Sequence, residues 1–328
     1  STRPLFVFHM TFFDKNEGMN SGVKFWGFTG PMAAWVCIWG AVAMLTSAPF
    51  DDWWHNAYGL DVEIISPPHM VLAAGFIAIV FGAMLLTLVQ QNRTNVSNIK
   101  MFSCLYTYTS GILILLMVIL TTEYSFTNKH HSLEFYKISA IVYPVVLVAI
   151  SKSSKLKWPA TIAALICMLH RCIMVWVLPL FEGQPLLAPI YREITHFVPP
   201  PFPVLLFIPA IAVDLIIIKS DKMNDWVRSA AVGFTFVSLF FVVQWYFSEF
   251  LLSESARNWF FSGHFNKPYG ARMGPYEFKF WEYDYRGFGP PIPLTPVAIA
   301  GLFSVTLIAA ISARVGFWWG AWMRIVKR

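Results

Sequence analysis

The chain has 328 residues, of which 57% are hydrophobic and 13% are charged, and its formal net charge is +6. Soluble domains carry about 25% charged residues, so this composition excludes a soluble globular protein. It predicts an all-α, polytopic membrane protein in contact with the lipid bilayer. Basic residues in such a chain report orientation first, so the positive charge does not indicate a nucleic-acid partner.

Eight apolar segments are each long enough, or nearly so, to cross a hydrocarbon core of about 30 Å. They predict a bundle of about eight transmembrane helices, at roughly 27–48, 69–90, 101–121, 137–151, 158–178, 202–218, 226–250 and 296–318. The first seven form one predicted unit, residues 27–250. Residues 251–295 are rich in aromatic residues, Gly and Pro, and they predict an irregular cap between this unit and the last helix.

Lysine and arginine are concentrated in alternate connections. The tail 1–26, the even connections and the tail of segment 296–328 are basic, whereas connection 49–68 has no Lys or Arg and connections 122–136 and 179–201 have one each. Short basic loops remain in the cytoplasm, so we predict cytoplasmic termini and an extracytoplasmic cap. The pattern indicates the inner (cytoplasmic) membrane of a bacterial- or archaeal-type cell. Residues 1–26 contain no apolar stretch typical of a cleavable signal peptide.

The sequence argues against several common chemistries. All four cysteines lie within predicted spans, which disfavours a disulfide framework or a Cys-x-x-Cys site and favours packing roles. There is no glycine-rich phosphate loop and no Gly-x-Ser-x-Gly elbow, so nucleotide chemistry and serine hydrolysis have no support.

Histidine and carboxylate side chains are concentrated on the predicted extracytoplasmic side. Asp51 and His55 are four residues apart, so one helical turn would place both on the same face. The Pro67-Pro68 pair favours an extended approach that presents His69 at the start of the second helix. Imidazole with carboxylate is a ligand set of Cu, Zn and non-haem Fe. We therefore predict a metal site at Asp51, His55 and His69; the alternative is an interfacial belt whose acids face water.

Other polar residues are candidates for a second metal site or for hydrogen-bond partners of the first ligands. Glu182 and His196 repeat the His55–His69 spacing, and a proline run again lies where a helix is predicted to begin, which suggests either a weak internal duplication or coincidence. Adjacent histidines on a regular helix cannot both face one centre, so at most one of His130 and His131 is a predicted ligand. The complete set is Asp61, Glu63, Glu182, His196, Glu123, His130, His131 and His170.

Few ionisable residues lie inside the predicted spans. His170 and Arg171 are adjacent there, and they predict either a functional site or a hydrogen-bonded structural pair. Asp214 is predicted to be locally paired or to extend toward the interface, with a proton-path role as the alternative. Because Arg314 is the only further candidate, a transporter or channel is disfavoured.

The Asp51–His69 segment resembles the C subunit of the copper-dependent membrane monooxygenases that oxidise methane or ammonia. It contains, in the family's order, an Asp, a His four residues later and a second His, with acidic residues and a proline between the histidines. The chain departs from the family in three ways. The gap between the histidines is one residue longer, Glu182 and His196 stand where a second copper site expects an Asn and two His, and eight spans exceed the usual number.

The resemblance covers roughly 20 of 328 residues and implies copper at Asp51, His55 and His69. It implies a subunit of an enzyme that inserts an oxygen atom from O2 into an apolar C–H or an N–H bond, with Trp53 and Trp54 limiting access of water. Companion subunits would be required, including one with a soluble copper domain. The alternative is a non-catalytic structural or assembly subunit of a respiratory or other membrane complex.

Overall fold

The computed structural model describes residues 22–59, 65–93, 98–183, 196–197, 199–256, 258–262 and 296–327. An antiparallel hairpin of β1 (Val23–Phe25) and β2 (Phe28–Gly30) precedes the first helix. The helices are α1 (Met32–Tyr58), α2 (Pro67–Arg93), α3 (Ile99–Leu120), α4 (Leu133–Ser153), α5 (Pro159–Val177), α6 (Phe207–Lys219), α7 (Asp225–Leu252), α8 (Trp259–Ser262) and α9 (Pro296–Ile325).

Among the described residues, seven helices are long and apolar enough to cross a membrane: α1 to α5, α7 and α9. This confirms the expectation of an all-α membrane protein. The predicted sixth span differs, because α6 has only 13 residues and is about 20 Å long. An extended proline-rich arm, residues 199–206, precedes it. The arm is held by protein side chains, since its Leu205 N–H donates to Gln244 and its Pro201 carbonyl accepts from Arg171.

Helix α1 extends further than the apolar pattern predicts. The apolar segment ends near residue 48, yet α1 continues through Pro49 and the charged pair at 51–52 to Tyr58. Charged residues end an apolar run but do not by themselves end a helix, because their helix propensities are ordinary. Gly59, at a φ of 88°, ends the helix. The predicted loop 49–68 is therefore helical for its first ten residues, which brings Asp51 and His55 onto the last turns of α1.

The helices pack through small residues and a large apolar core. Helix α1 lies against α2, where a Cβ added at Gly40 would be 2.8 Å from the Gly75 carbonyl oxygen, so the two backbones touch. Helix α4 occupies the centre and packs against α9, α7 and α6. The core between them includes Leu147, Phe240 and Phe317, which are at most 1% exposed. Apolar side chains on the outer faces of these helices are exposed and suit contact with lipid.

Successive long helices run in opposite directions, so their connections lie alternately at one end of the bundle and at the other. The basic end carries the last turn of α2, the first turn of α3, residues 153–159 and 219–225 and the last turn of α9, and it includes Lys152, Lys155 and Arg228. The histidine end carries the last turn of α1, the first turn of α2, residues 120–133, the last turn of α5, the first turn of α6 and the last turn of α7.

Asp214 is a cap for a neighbouring helix. It is fully buried in α6 and accepts hydrogen bonds from the backbone N–H groups of Ala160 and Thr161, in the first turn of α5. The hydroxyls of Ser151 and Thr161 donate to the same carboxylate. The expectation of a locally paired or interface-seeking carboxylate is therefore wrong, because its partners belong to two other helices and it compensates the positive end of α5.

Several sequence expectations fall outside the described residues. These are the tail up to residue 21, both acidic residues between the predicted ligands, Asp61 and Glu63, and the cap segment 263–295. The part of the predicted cap that the structure describes is helical, with a single 3-10 turn at Glu254–Ala256 followed by α8.

Candidate metal-binding site

The structure brings the three predicted metal ligands together at the histidine end. Asp51 and His55 lie one turn apart near the end of α1, and His69 is the third residue of α2. Asp51 Oδ1 is 3.7 Å from His55 Nε2 and 3.6 Å from His69 Nε2. One carboxylate oxygen thus lies close to both imidazoles. The helical spacing accounts for the first approach and the short α1–α2 connection for the second.

The Asp51 oxygen that faces both histidines is buried and accepts no hydrogen bond from any residue within the described ranges. A carboxylate beside the start of a helix normally accepts from backbone N–H groups there. The first two residues of α2, Pro67 and Pro68, have no N–H to donate. The sequence at this helix start therefore leaves the Asp51 oxygen available to a cation. His55, in the last turn of α1, lies at the negative end of that helix, which also favours positive charge.

An aromatic cluster covers the same turns of α1. The rings of Trp54 and Tyr58 are 4.5 Å apart, and Trp53 stacks on Phe50 at 5.9 Å. The three candidate ligands keep 29–35% of their side-chain surface exposed, so the aromatic residues flank the site without closing it. Ligand side chains with this exposure have room to change rotamer.

In the part of the chain that the structure describes, no group of three or more His, Cys, Asp or Glu side chains already encloses a metal position. The Asp51 group consists of two carboxylate–imidazole pairs that share one oxygen, at the spacing of ion pairs. A further ligand from the segment that contains Asp61 and Glu63 would lie outside the described residues.

Glu182 and His196 are also brought together, but through the backbone. They form an isolated antiparallel β-bridge, and the Phe197 N–H donates to the Phe181 carbonyl at 3.0 Å. Directly opposed residues of such a bridge project to the same side, so the pair shares one face. Glu123 has a different role, since its backbone carbonyl accepts a hydrogen bond from Lys129 Nζ.

His130 is fully buried in a chain of hydrogen bonds that fixes its tautomer. Gln244 Oε1 accepts from the Leu205 N–H, so the Gln244 amide nitrogen must be the donor to His130 Nδ1, at 3.1 Å. The proton of His130 is then on Nε2, which donates to the Ser125 carbonyl at 3.0 Å. Burial lowers the pKa of His130 to about 3, so the ring is neutral. Both ring nitrogens are engaged, so His130 joins three segments of the bundle and is not available as a ligand.

His131 faces a different set of neighbours. Its ring stacks edge-on against Trp245 at 4.2 Å and lies 3.4 Å from the Ser248 hydroxyl and 3.9 Å from a Glu249 carboxylate oxygen. Burial lowers the pKa of His131, opposed by the charge of Glu249. The two adjacent histidines thus point to separate environments. Sequence reasoning missed Gln244 and Ser248, because no local pattern marks a helix residue that bonds a distant loop.

His170 lies away from the charged clusters, on α5. Its Nδ1 donates to the Ile166 carbonyl at 2.8 Å, which leaves Nε2 to accept from the Tyr108 hydroxyl at 3.4 Å. Arg171 turns the other way and donates to the Pro201 carbonyl at 2.9 Å. His170 and Arg171 are therefore tied to different segments.

Comparison of the chain with protein-family models, with curated proteins and with solved structures gives no match. None of these comparisons bears on the expected resemblance to copper monooxygenase subunits, which is inferred from the Asp51–His69 segment alone.

Proposed function

We propose that this chain is the metal-binding membrane subunit of a copper-dependent monooxygenase, with copper held by Asp51, His55 and His69. The observation that carries the proposal is the position of the buried Asp51 Oδ1, which lies 3.7 Å from His55 Nε2 and 3.6 Å from His69 Nε2. No described residue donates a hydrogen bond to this oxygen. Buried carboxylate oxygens are normally satisfied, and a cation shared with the histidines would satisfy this one.

The residues fit copper in type and in spacing. Carboxylate and imidazole are ligands that copper accepts, and three protein donors leave positions for exogenous ligands. Two donor atoms bonded to one copper ion at about 2.1 Å are ~3.0 Å apart at an angle of about 90° and ~3.6 Å apart at about 120°. The two separations from Asp51 Oδ1, 3.7 and 3.6 Å, lie at the wide end of that range. The partial exposure of the three side chains permits the adjustment that closes them around an ion.

The distribution of basic residues supports an extracytoplasmic site. Lys152, Lys155 and Arg228 lie at the basic end of the bundle, opposite Asp51 and both candidate histidine ligands. Under the positive-inside rule the basic end faces the cytoplasm, and the metal site faces the extracytoplasmic side of an inner membrane. Companion subunits, one with a soluble copper domain, would complete the enzyme and supply its electrons.

The residues around the site have separate roles in this proposal. Asp51 provides the negative charge that offsets the metal, and His55 and His69 provide neutral donors from two helices whose packing fixes their separation. The aromatic residues beside them narrow the approach of water from the aqueous side. Bound copper would supply the activation of O2 for oxygen insertion. Helix α1 exposes Leu45 and Trp39, so an apolar substrate dissolved in the bilayer can approach the site along this helix.

Copper content of the detergent-purified protein tests this proposal. We expect about one copper per chain after loading and dialysis, and a loss of at least tenfold in affinity for His55→Ala, His69→Ala and Asp51→Ala. His170→Ala is the matched control, because His170 is bonded to Tyr108 elsewhere in the bundle. Equal copper content in all four variants and the wild type would contradict the proposal. Copper-free protein that still copurifies with companion subunits would favour the structural-subunit alternative.

A further inference from the structure

Arg314 is a charged residue in a membrane-spanning helix whose charge has no protein acceptor in the described structure. It lies in α9, eleven residues before the helix ends at Ile325. Its guanidinium stands over the Trp226 ring, 5.3 Å from the ring centre. Its Nε is buried and donates no hydrogen bond to any of the residues that the structure describes. A guanidinium has five N–H donors, and a charge at membrane depth requires acceptors for them.

Arg228, close by on α7, shows what a guanidinium satisfied by protein looks like. It donates to the Asp225 carboxylate at 3.2 Å and to the Ser220 hydroxyl at 3.1 Å, it lies over the Phe317 ring, and it is only 3% exposed. Arg314 has the aromatic contact without the acid or the hydroxyl. The part of the chain that the structure describes supplies no acceptor for Arg314, so an acceptor from the surroundings would satisfy it.

The direction in which Arg314 extends identifies where that acceptor lies. Gly233 of α7 packs against Ala310 of α9, and Arg228 against Phe317, so the Cα of Arg314 is level with about residue 230 of α7. Trp226 is about four residues nearer the basic end, which corresponds to about 6 Å. The side chain thus bends toward the basic end, as long cationic side chains do to reach a membrane interface.

The surface around Arg314 is apolar and exposed, as expected for a surface that contacts lipid. Trp226 and Trp318 are 64% and 69% exposed, and Ile311 and Val315 continue the same outer face of α9. Tryptophan is enriched at the level of the lipid headgroups. An acceptor that reaches a guanidinium in this setting should carry acyl chains that cover the apolar face. Arginine binds phosphate oxygens with two parallel hydrogen bonds.

We propose that Arg314, supported by Trp226, binds the phosphate of a phospholipid in the leaflet at the basic end of the bundle. The lipid's acyl chains lie along the exposed face of α9, and its phosphodiester accepts the hydrogen bonds that the described protein does not. The site is separate from the Asp51 group, which lies at the opposite end.

Thermal-shift titrations of the full chain in detergent test this site. Dioleoyl phosphatidylglycerol should stabilise the wild type, whereas dioleoylglycerol, which lacks the phosphate, and inorganic phosphate, which lacks the chains, should not. In Arg314→Gln the apparent affinity for phosphatidylglycerol should fall by on the order of tenfold or more, since two charge-assisted hydrogen bonds are lost. Arg324→Gln, on an exposed residue of the same helix, should leave it unchanged.

Each other outcome overturns the proposal. An equal response to dioleoylglycerol would show that the phosphate is not bound, and an equal response to inorganic phosphate would show that the acceptor is a soluble anion. An unchanged affinity in Arg314→Gln would remove Arg314 from the site. If Arg314→Gln does not fold, Arg314→Lys replaces it and should bind phosphatidylglycerol more weakly than the wild type, because a point charge cannot form the paired bonds. Unweakened binding by the lysine variant would contradict the proposed geometry.

Discussion

Replacing Asp214 tests how a buried carboxylate stabilises the bundle. In Asp214→Ala the hydroxyls of Ser151 and Thr161 can rotate to other acceptors, but the N–H groups of Ala160 and Thr161 cannot, because α5 fixes them. Each buried donor left unsatisfied costs about 1–3 kcal/mol. Loss of negative charge at a helix start adds about 0.3–2 kcal/mol. These contributions sum to roughly 2–8 kcal/mol, and removing one partner from a buried charged group typically costs about 3–5 kcal/mol, so we expect the free energy of unfolding to fall by about 3–5 kcal/mol.

Asp214→Asn separates the charge from the hydrogen bonds. The asparagine amide oxygen can still accept from the Thr161 N–H, which lies 2.9 Å from the Asp214 carboxylate in the wild type. The asparagine NH2 group then faces the Ala160 N–H, whose hydrogen bond of 3.3 Å is the longest of the four that Asp214 accepts. We expect a smaller loss, about 1–2 kcal/mol. Asp221→Asn changes an exposed carboxylate in the next connection and should alter stability by less than about 0.5 kcal/mol.

Thiol labelling during heating in detergent measures these differences. Cys167 is 5% exposed on α5, so its labelling reports the loss of helix packing near the cap. The exposed Cys104 is first replaced by Ser to remove labelling of the folded state. With about 1.5 °C per kcal/mol for a chain of 328 residues, Asp214→Ala should lower the midpoint by roughly 4–7 °C. Equal midpoints for Asp214→Ala and Asp221→Asn would refute the capping argument.

Two further predictions concern a buried histidine and a close helix contact. The folded pKa of His130 is about 3 and its ordinary value is 6.5, so the unfolded chain takes up a proton that the folded chain excludes. The free energy of unfolding should therefore fall as the pH drops from about 6.5 toward 3, by up to about 1.4 kcal/mol per pH unit. In His130→Gln the unfolding midpoint should depend less steeply on pH, and an unchanged pH dependence would contradict a neutral, buried His130. Gly40→Leu should separate α1 from α2 and lower the unfolding midpoint, because a Cβ there would lie 2.8 Å from the Gly75 carbonyl oxygen. Ala41→Leu, on the exposed side of α1, should be tolerated, and equal effects of the two would argue against backbone contact.

The long helices could be predicted from the sequence because apolar length is a local property. Each of the eight apolar segments contains a helix, although one of them, α6, is too short to span. Helix ends were harder to predict. A charged pair ended the apolar pattern near residue 51, yet α1 continued to Tyr58, since helix termination depends on caps and backbone conformation rather than on hydropathy.

Contacts between residues close in sequence could be predicted at the site, whereas contacts between residues far apart in sequence could not. The approach of Asp51 to His55 and His69 followed from an i,i+4 spacing and a short connection. The partners of Asp214 on α5 are 53 or 54 residues away, and Gln244 is 114 residues from His130. Contacts at such separations depend on how the helices pack, and no spacing rule in the sequence specifies them.

The X-ray absorption spectrum of the copper-loaded protein shows directly which atoms bind the metal. We predict copper bonded to two imidazole nitrogens at about 2.0 Å together with an oxygen donor, and one imidazole fewer in each of His55→Ala and His69→Ala. His170→Ala should give the wild-type spectrum. A copper spectrum without imidazole scattering, or one that neither variant changes, would contradict a site formed by Asp51, His55 and His69.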